Sequence, residues 1–567
     1  MPEHDLVIRG GTVVDGRGGP PRTADVSVRA GRITGVGRVE GSAARTVEAD
    51  GAVVTPGFVD IHAHYDGQAT WDSQLTPSAW HGVTTVVVGN CGVGFAPVRV
   101  ADRDRLIELM EGVEDIPGTA LHEGLAWDWE SFPEYMDAVA RRPHDIDIGL
   151  QVPHGALRLY VMGERGAARE EATAEDIGAM AELAREAVEA GAIGFTTSRT
   201  RNHRTSRGDW TPTLTAAADE LAGIASGLGA AGKGVLEVVS DFADLEAETS
   251  AIFGMVRASG RPLSVSITQA DPAPQNWRAL MAAVTEANRQ GLPVTAQVAA
   301  RPVGVLIGLQ TTRNPIGAAP TVTAMAGLPL AEQAARLSEP GTRQVLLAEL
   351  VGSGRSLPWE RIYPLGDPPD YEPRAEDSVG ARAARGEREA WDVALDFLLA
   401  NGGRGFLYLP FLNYSEGSLD PAREMLTHPH AVLGLADGGA HVGTICDASF
   451  PTTMLTHWVR DRTRGPRIGL ADAVAVQTAR TAAAVGLADR GMVAVGHRAD
   501  LNVIDLDNLT LHAPTMAYDL PAGGKRLLQR ADGYLHTFVS GVEVYASGEH
   551  TGALPGQVIR GAQPAPA

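Results

Sequence analysis

The chain has 567 residues, with 69 acidic and 48 basic side chains and a formal net charge of −21. That length exceeds one simple core, and the acidic balance excludes a protein whose main partner is nucleic acid or an anionic membrane. Two cysteines make no disulfide framework, no apolar leader opens the chain and no stretch reaches the length of a membrane span, so a soluble cytoplasmic protein is expected.

Runs with alternating apolar residues and glycine pairs open the chain at 5–16, 24–28 and 32–37. Similar runs close it at 491–493, 499–505 and 535–541. They read as strands and hairpins, and the two ends are expected to pair into a small composite β-sandwich domain (1–56 plus 488–567). A separate catalytic body (57–487) lies between them. Apolar strands are predicted there at 53–62, 84–88, 146–152, 193–197, 235–239, 263–268, 294–298 and 432–436. Helices fall between most of them. The clearest is 173–189, where Thr173 is a fitting N-cap and Asp176 stands three residues on; others are 214–231 and 244–258. Eight strands alternating with helices predict an α/β fold, a (β/α)8 TIM barrel. Strands this apolar suit a parallel sheet buried on both faces. The rhythm breaks between about 300 and 429, an insertion expected to form a lid or subdomain.

A barrel carries its chemistry at the carboxyl ends of its strands. The first predicted strand ends in His62-Ala63-His64. Residues i and i+2 of a strand point the same way, so the two imidazoles can aim at one transition metal. Asp60, on the same face, is the expected partner for orienting them. Cys91 follows the second strand, His154 the third, and Arg199, His203 and Arg204 the fourth. Ser240 and Asp241 end the fifth, Gln269 the sixth, Gln297 the seventh and Asp437 the eighth. The arginine-rich stretch 197–204 reads either as a clamp for a substrate carboxylate or as a solvated loop. His154, His203 and His441 are candidate donors to an oxyanion, and Tyr65 is a candidate hydrogen-bond partner of the substrate. Cys446 reads as a buried thiol. The chain has only two lysines. Lys233 sits at the wrong end of its strand and Lys525 near the C-terminus, so no lysine is expected to bridge two metals.

His62-Ala63-His64, Gly89-Asn90-Cys91-Gly92, Gly191-Ala192-Ile193-Gly194-Phe195 and Asp437-Gly438-Gly439 resemble the amidohydrolase superfamily, and within it the D-aminoacylase (N-acyl-D-amino-acid deacylase) branch. So do 487–491 and 496–501, and the resemblance spans nearly the whole chain. It implies one metal site made by His62, His64, Cys91 and Asp437, a donor set that suits zinc. Asp437 would be the general base, taking the proton of the attacking water and passing it to the leaving nitrogen. The chain departs from the branch at the ends of the fifth and sixth strands. Further histidine ligands are expected there, and 238–242 and 266–270 contain none. One zinc ion is therefore expected rather than two. The leading expectation is a metal-dependent amidohydrolase acting on the amide of an N-acyl D-amino acid or similar small molecule carrying a carboxylate. The alternatives are hydrolysis of a cyclic amide, imide or lactone, and a catalytically inactive barrel that binds a ligand. A homo-oligomer is left open.

Overall fold

Eight parallel strands follow one another around a sheet in chain order: Phe58–Asp60 (β1), Val83–Val88 (β2), Asp147–Pro153 (β3), Gly194–Arg199 (β4), Val235–Ser240 (β5), Leu263–Ser266 (β6), Val294–Val298 (β7) and Ala431–Leu433 (β8). The computed structural model describes residues 2–567. The sheet closes just past the ends of β1 and β8. There Ala63 bridges Gly438, His64 N donates to Gly438 O (2.7 Å) and Asp437 N donates to His62 O (3.0 Å). Closure thus brings His62, His64 and Asp437 together. Each strand falls where the apolar runs place it, because a sheet covered on both faces needs apolar side chains on both. The fold is a (β/α)8 barrel joined to a β domain made from both chain ends.

One predicted strand is two. Residues 53–56 belong to the end domain, where they pair with 12–13 and with 501–504. The chain then turns at Gly57 into β1. A Cβ on Gly57 would stand 2.1 Å from the Thr84 hydroxyl on the neighbouring strand, so only glycine lets the chain cross there.

The end domain is a nine-stranded sheet that alternates between the two termini. Strands at Arg32–Gly37, Arg22–Arg29, His4–Val13 and Val53–Pro56 continue into Leu501–Ile504, Tyr534–Val539, Val542–Ala546 and Glu549–His550, and Ala43–Glu48 lies beside His4–Val13. Leu6, Ile8, Val26, Val54, Leu501, Val503 and Phe538 fill its core. A last strand, Val558–Ile559, pairs in parallel with Ile148 and Gly149 of β3.

Helix Ala174–Ala190 starts with the expected capping box between Thr173 and Asp176, worth ~1 kcal/mol. The helix predicted from 214 begins at Ala218; the preceding residues turn instead, and Thr213 Oγ1 donates to Ser198 O (2.7 Å). The insertion carries a three-stranded antiparallel sheet (Val303–Ile307, Leu407–Leu412, Tyr363–Pro364) and helices including Pro340–Gly352 and Ala390–Leu398. They pack about a core of their own, with Leu337, Leu346, Trp391 and Leu395. It meets the barrel mouth where Thr312 N donates to Gly443 O (2.9 Å). A hairpin of the C-terminal part, Thr515–Leu520 and Gly524–Leu528, reaches the same place, and Leu527 N donates to Val442 O (2.6 Å). No helix among the described residues is long and apolar enough to cross a membrane.

Candidate metal centre

His62, His64 and Cys91 present ligand atoms that all lie within 4.8 Å of one another, and all three residues are buried. His62 Nε2 is 3.3 Å from Cys91 Sγ and 3.5 Å from Asp437 Oδ1. His64 Nε2 is 3.8 Å from the same carboxylate oxygen. Tetrahedral zinc, with bonds of about 2.0–2.3 Å, sets its ligand atoms about 3.3–3.8 Å apart. The spacing is that of a coordination shell.

Backbone strain marks the same residues. Cys91, Leu435, Asp437 and His441 have φ between +48° and +58°, a region that non-glycine residues adopt at a cost of ~1–3 kcal/mol each. The Asp-Gly-Gly turn packs tightly on Tyr65: a Cβ on Gly438 would stand 2.4 Å from Ser78 Oγ and 2.8 Å from Tyr65 Oη.

The tautomer of His62 follows from its partner. Gln297 at the end of β7 donates its amide N–H to Ser264 Oγ (2.8 Å), leaving Oε1 to accept from His62 Nδ1 (2.8 Å). The proton therefore sits on Nδ1, and the Nε2 lone pair faces Cys91 and Asp437, the arrangement a metal-binding imidazole needs. Asp60 does not play this part. Its Oδ1 accepts from the backbone N of His62 (3.1 Å), because its side chain is too short to pass the strand and reach the ring.

Burial dominates the electrostatics. It pushes the His62 imidazole down to about 4 and lowers His64 as well, so both rings are neutral at neutral pH. Burial raises the Cys91 thiol well above its ordinary value, and Glu114, Glu237, Asp437 and Asp66 add to the effect. For Asp437 burial acts upward too, but the hydrogen bond from His64 and the neighbouring histidines outweigh it and hold the carboxyl below the usual range.

Three acids around the cluster escaped sequence reasoning as site residues. Glu114, at the end of helix Arg103–Glu114, lies with Oε1 3.4 Å from His64 Nδ1 and Oε2 3.5 Å from His441 Nε2. Glu237 of β5 accepts from Cys91 N (3.2 Å) and is pushed up to about 8 by burial. Asp66 is pushed up to about 7 by burial. Glu114 Oε1, Glu237 Oε1, Asp66 Oδ2 and His64 Nδ1 are buried with no hydrogen-bond partner. Four carboxyls, a thiol and neutral imidazoles share one dry pocket. A divalent cation supplies the charge this donor set lacks, and with it the thiol ionises. Glu237 carried a legible signal, a lone charge inside an apolar strand; Glu114 carried none.

The other expected site residues are placed as follows. His203 Nδ1 is 2.9 Å from Ser198 Oγ, and burial, then the nearby His441 and His64, push its ring down to about 3. It belongs to the cluster's surroundings, as does His441. His154 does not: its nitrogens are taken by Thr197 Oγ1 (2.8 Å) and Glu220 Oε1 (2.9 Å), and Glu220 is also paired with Arg158. Arg199 is held by both oxygens of Glu248 (2.8 and 2.7 Å). Arg204 is exposed, with its guanidinium over the Trp210 ring. Tyr65 is fully buried and bonded to Ser78 (2.8 Å). These four are structural because a strand-end polar group with a fixed protein partner has nothing left for a ligand. At the ends of β5 and β6, Ser240 donates to Glu248 and Gln269 is bonded to Asn413, Ser415 and Glu416.

A closed barrel with His-x-His after β1 and an aspartate after β8 defines a metal-type hydrolase barrel. The chain matches the amidohydrolase family over residues 45–359 and 372–545, and it belongs to that family. It is 28% identical to the N-acyl-D-glutamate deacylase of Alcaligenes xylosoxydans xylosoxydans over 98% of this chain and 96% of that protein. A D-aminoacylase of the same organism is 39% identical, over 34% of this chain and 37% of that protein. The crystal structure of N-acyl-D-glutamate deacylase from Bordetella bronchiseptica, complexed with zinc and a phosphonate mimic of the tetrahedral intermediate, superposes with a TM-score of 0.65 at 25% identity, covering 98% of this chain and 99% of that one.

Proposed function

We propose that this protein is a metal-dependent amidohydrolase that removes the acyl group from an N-acyl-D-amino acid, with one zinc ion held by His62, His64, Cys91 and Asp437. The observation that carries the reading is the convergence of two imidazoles, a thiol and a carboxylate at the barrel mouth. It stands in a chain matched nearly end to end by a deacylase of this class. A divalent ion bound there supplies Lewis acidity toward the scissile carbonyl and acidifies the attacking water toward ~7.

The chain's own residues do the rest. Asp437, at the rim of the cluster, takes the proton of the attacking water and delivers it to the leaving nitrogen. Gln297 keeps His62 in the tautomer that leaves Nε2 free. With Nδ1 accepting from Ser198 Oγ, His203 carries its proton on Nε2 and offers it to the carbonyl oxygen as negative charge grows there. Both cysteines are free and buried, which supports a reducing, cytoplasmic setting.

The test is metal analysis of the purified protein beside a panel of N-acyl-D-amino acids, N-acyl-L-amino acids, cyclic amides and lactones. About one zinc per chain and release of free D-amino acid are expected. Turnover confined to the cyclic substrates replaces the reading with ring opening. Protein without metal and without turnover replaces it with a ligand-binding barrel.

A further inference from the structure

The arginines expected to hold a substrate carboxylate are engaged elsewhere, and another cation stands at the mouth. A cavity of about 400 Å³ is lined by Glu111, Asp115, Thr311, Thr312, Gly443 and Lys525, among others, within the ~300–1,000 Å³ of small-molecule pockets. Its wall continues the backbone of the metal centre. Asp115 directly follows Glu114, and Gly443 is two residues past His441. At ~3.8 Å per residue, the lining begins within about 8 Å of the pair that faces His64.

The two acids of the lining are spent on protein donors. Glu111 Oε1 accepts from Gly118 N (2.9 Å). Asp115 Oδ1 accepts from Thr312 Oγ1 (3.2 Å) and Oδ2 from Thr444 Oγ1 (3.1 Å). The cation is not spent. Lys525 Nζ donates to a backbone carbonyl, Gln310 O (2.8 Å), and makes no ion pair among the described residues. Two of its three N–H donors therefore have no carboxylate, in a chain of net charge −21. The hairpin that carries Lys525 is pinned to the mouth by Leu527 N on Val442 O, so the ammonium is held in place rather than swept through solvent. It is half-buried, where a charge pair is stronger than at an open surface.

We propose that this cavity is a specificity subsite for an acidic side chain, with the Lys525 ammonium pairing the side-chain carboxylate of an N-acyl-D-glutamate- or N-acyl-D-aspartate-type substrate. The proposal rests on the deacylase reading for its substrate class and adds which residue reads the side chain.

The experiment compares wild type, Lys525→Met and Lys525→Arg on N-acetyl-D-glutamate, N-acetyl-D-aspartate and N-acetyl-D-leucine. It also titrates each protein calorimetrically with glutarate, a dicarboxylate that has no amide to hydrolyse. Lys525→Met is expected to lower kcat/KM on the two acidic substrates about 10- to 100-fold, mainly through KM, with a far smaller change on the leucine compound. Lys525→Arg recovers most of the loss. Glutarate binding weakens by a similar factor in Lys525→Met. Equal losses on glutamate and leucine substrates, glutarate affinity unchanged by the substitution, or no glutarate binding to wild type each overturn the proposal. If wild type hydrolyses no N-acyl-D-amino acid, the deacylase reading falls, and the glutarate titration still decides whether Lys525 binds a carboxylate. Unfolding midpoints of the variants within ~2 °C of wild type separate a binding loss from a folding one.

Discussion

Polar residues crown both halves of the barrel mouth, and the halves use them differently. After β1, β2 and β8, His62, His64, Cys91 and Asp437 crowd together 3.3–3.8 Å apart with their ligand atoms turned to one point. After β3, β4 and β6, His154, Arg199 and Gln269 are each saturated by a partner from a neighbouring helix or loop. A strand end supplies position only. Chemistry stays where buried groups lack an internal counter-charge, as around Glu114 and Glu237, and structure takes over where Glu220 or Glu248 provides one.

The largest effect that tests this contrast is Asp437→Asn. It should lower kcat/KM by ~10³-fold or more while the protein keeps its metal and its unfolding midpoint. Substantial residual turnover would place the proton transfer elsewhere. Cys91→Ala should weaken metal affinity at least ~100-fold, since even residues behind the ligands cost 10–100-fold; chelator competition measures it, and unchanged affinity removes Cys91 from the shell. Glu114→Gln should cost ~10–100-fold in metal affinity or kcat, through His64 and His441, with the fold intact.

On the saturated half the readout changes from activity to stability. Arg199→Met leaves Glu248 without its bidentate partner and should cost ~2 kcal/mol in denaturant unfolding, with KM unmoved. A selective rise of KM for carboxylate substrates would return Arg199 to the substrate. Acid should act on the insertion's anchor, where Glu372 accepts from Arg462 and meets His457. Burial alone would raise this carboxyl, but those partners pull it down to about 2. Its folded value is thus below its unfolded one. The stability it lends is present above pH ~4.5 and is lost as pH falls from there toward 2. Glu372→Gln should flatten the unfolding midpoint across that window. Arg204→Ala, exposed over Trp210, should change stability by no more than ~1 kcal/mol.

The barrel was legible because its strands are apolar on both faces and punctuated by helices, a pattern few other folds produce. His62, His64 and Asp437 were legible from their places at the first and last strand ends, and Cys91 from the turn that resembles the family. Partnership was not legible. Nothing near residue 199 announces Glu248, and nothing near residue 64 announces Glu114; each meeting depends on how a helix lies across the mouth. Tyr65 looked like a substrate contact because it follows the histidines, yet one step along an extended chain turns its ring to the opposite side, against Ser78.

The nine-stranded end sheet has a consequence for synthesis. Its middle joins Val53–Pro56 to Leu501–Ile504, so strands made first wait for partners made some 450 residues later. A ribosome adding about 5–20 residues each second leaves the early hairpins without their central neighbour for tens of seconds. Over that interval Val54 and its apolar neighbours face the cytosol and whatever chaperone attends them, which makes the emerging chain, rather than the finished enzyme, the form most exposed to aggregation.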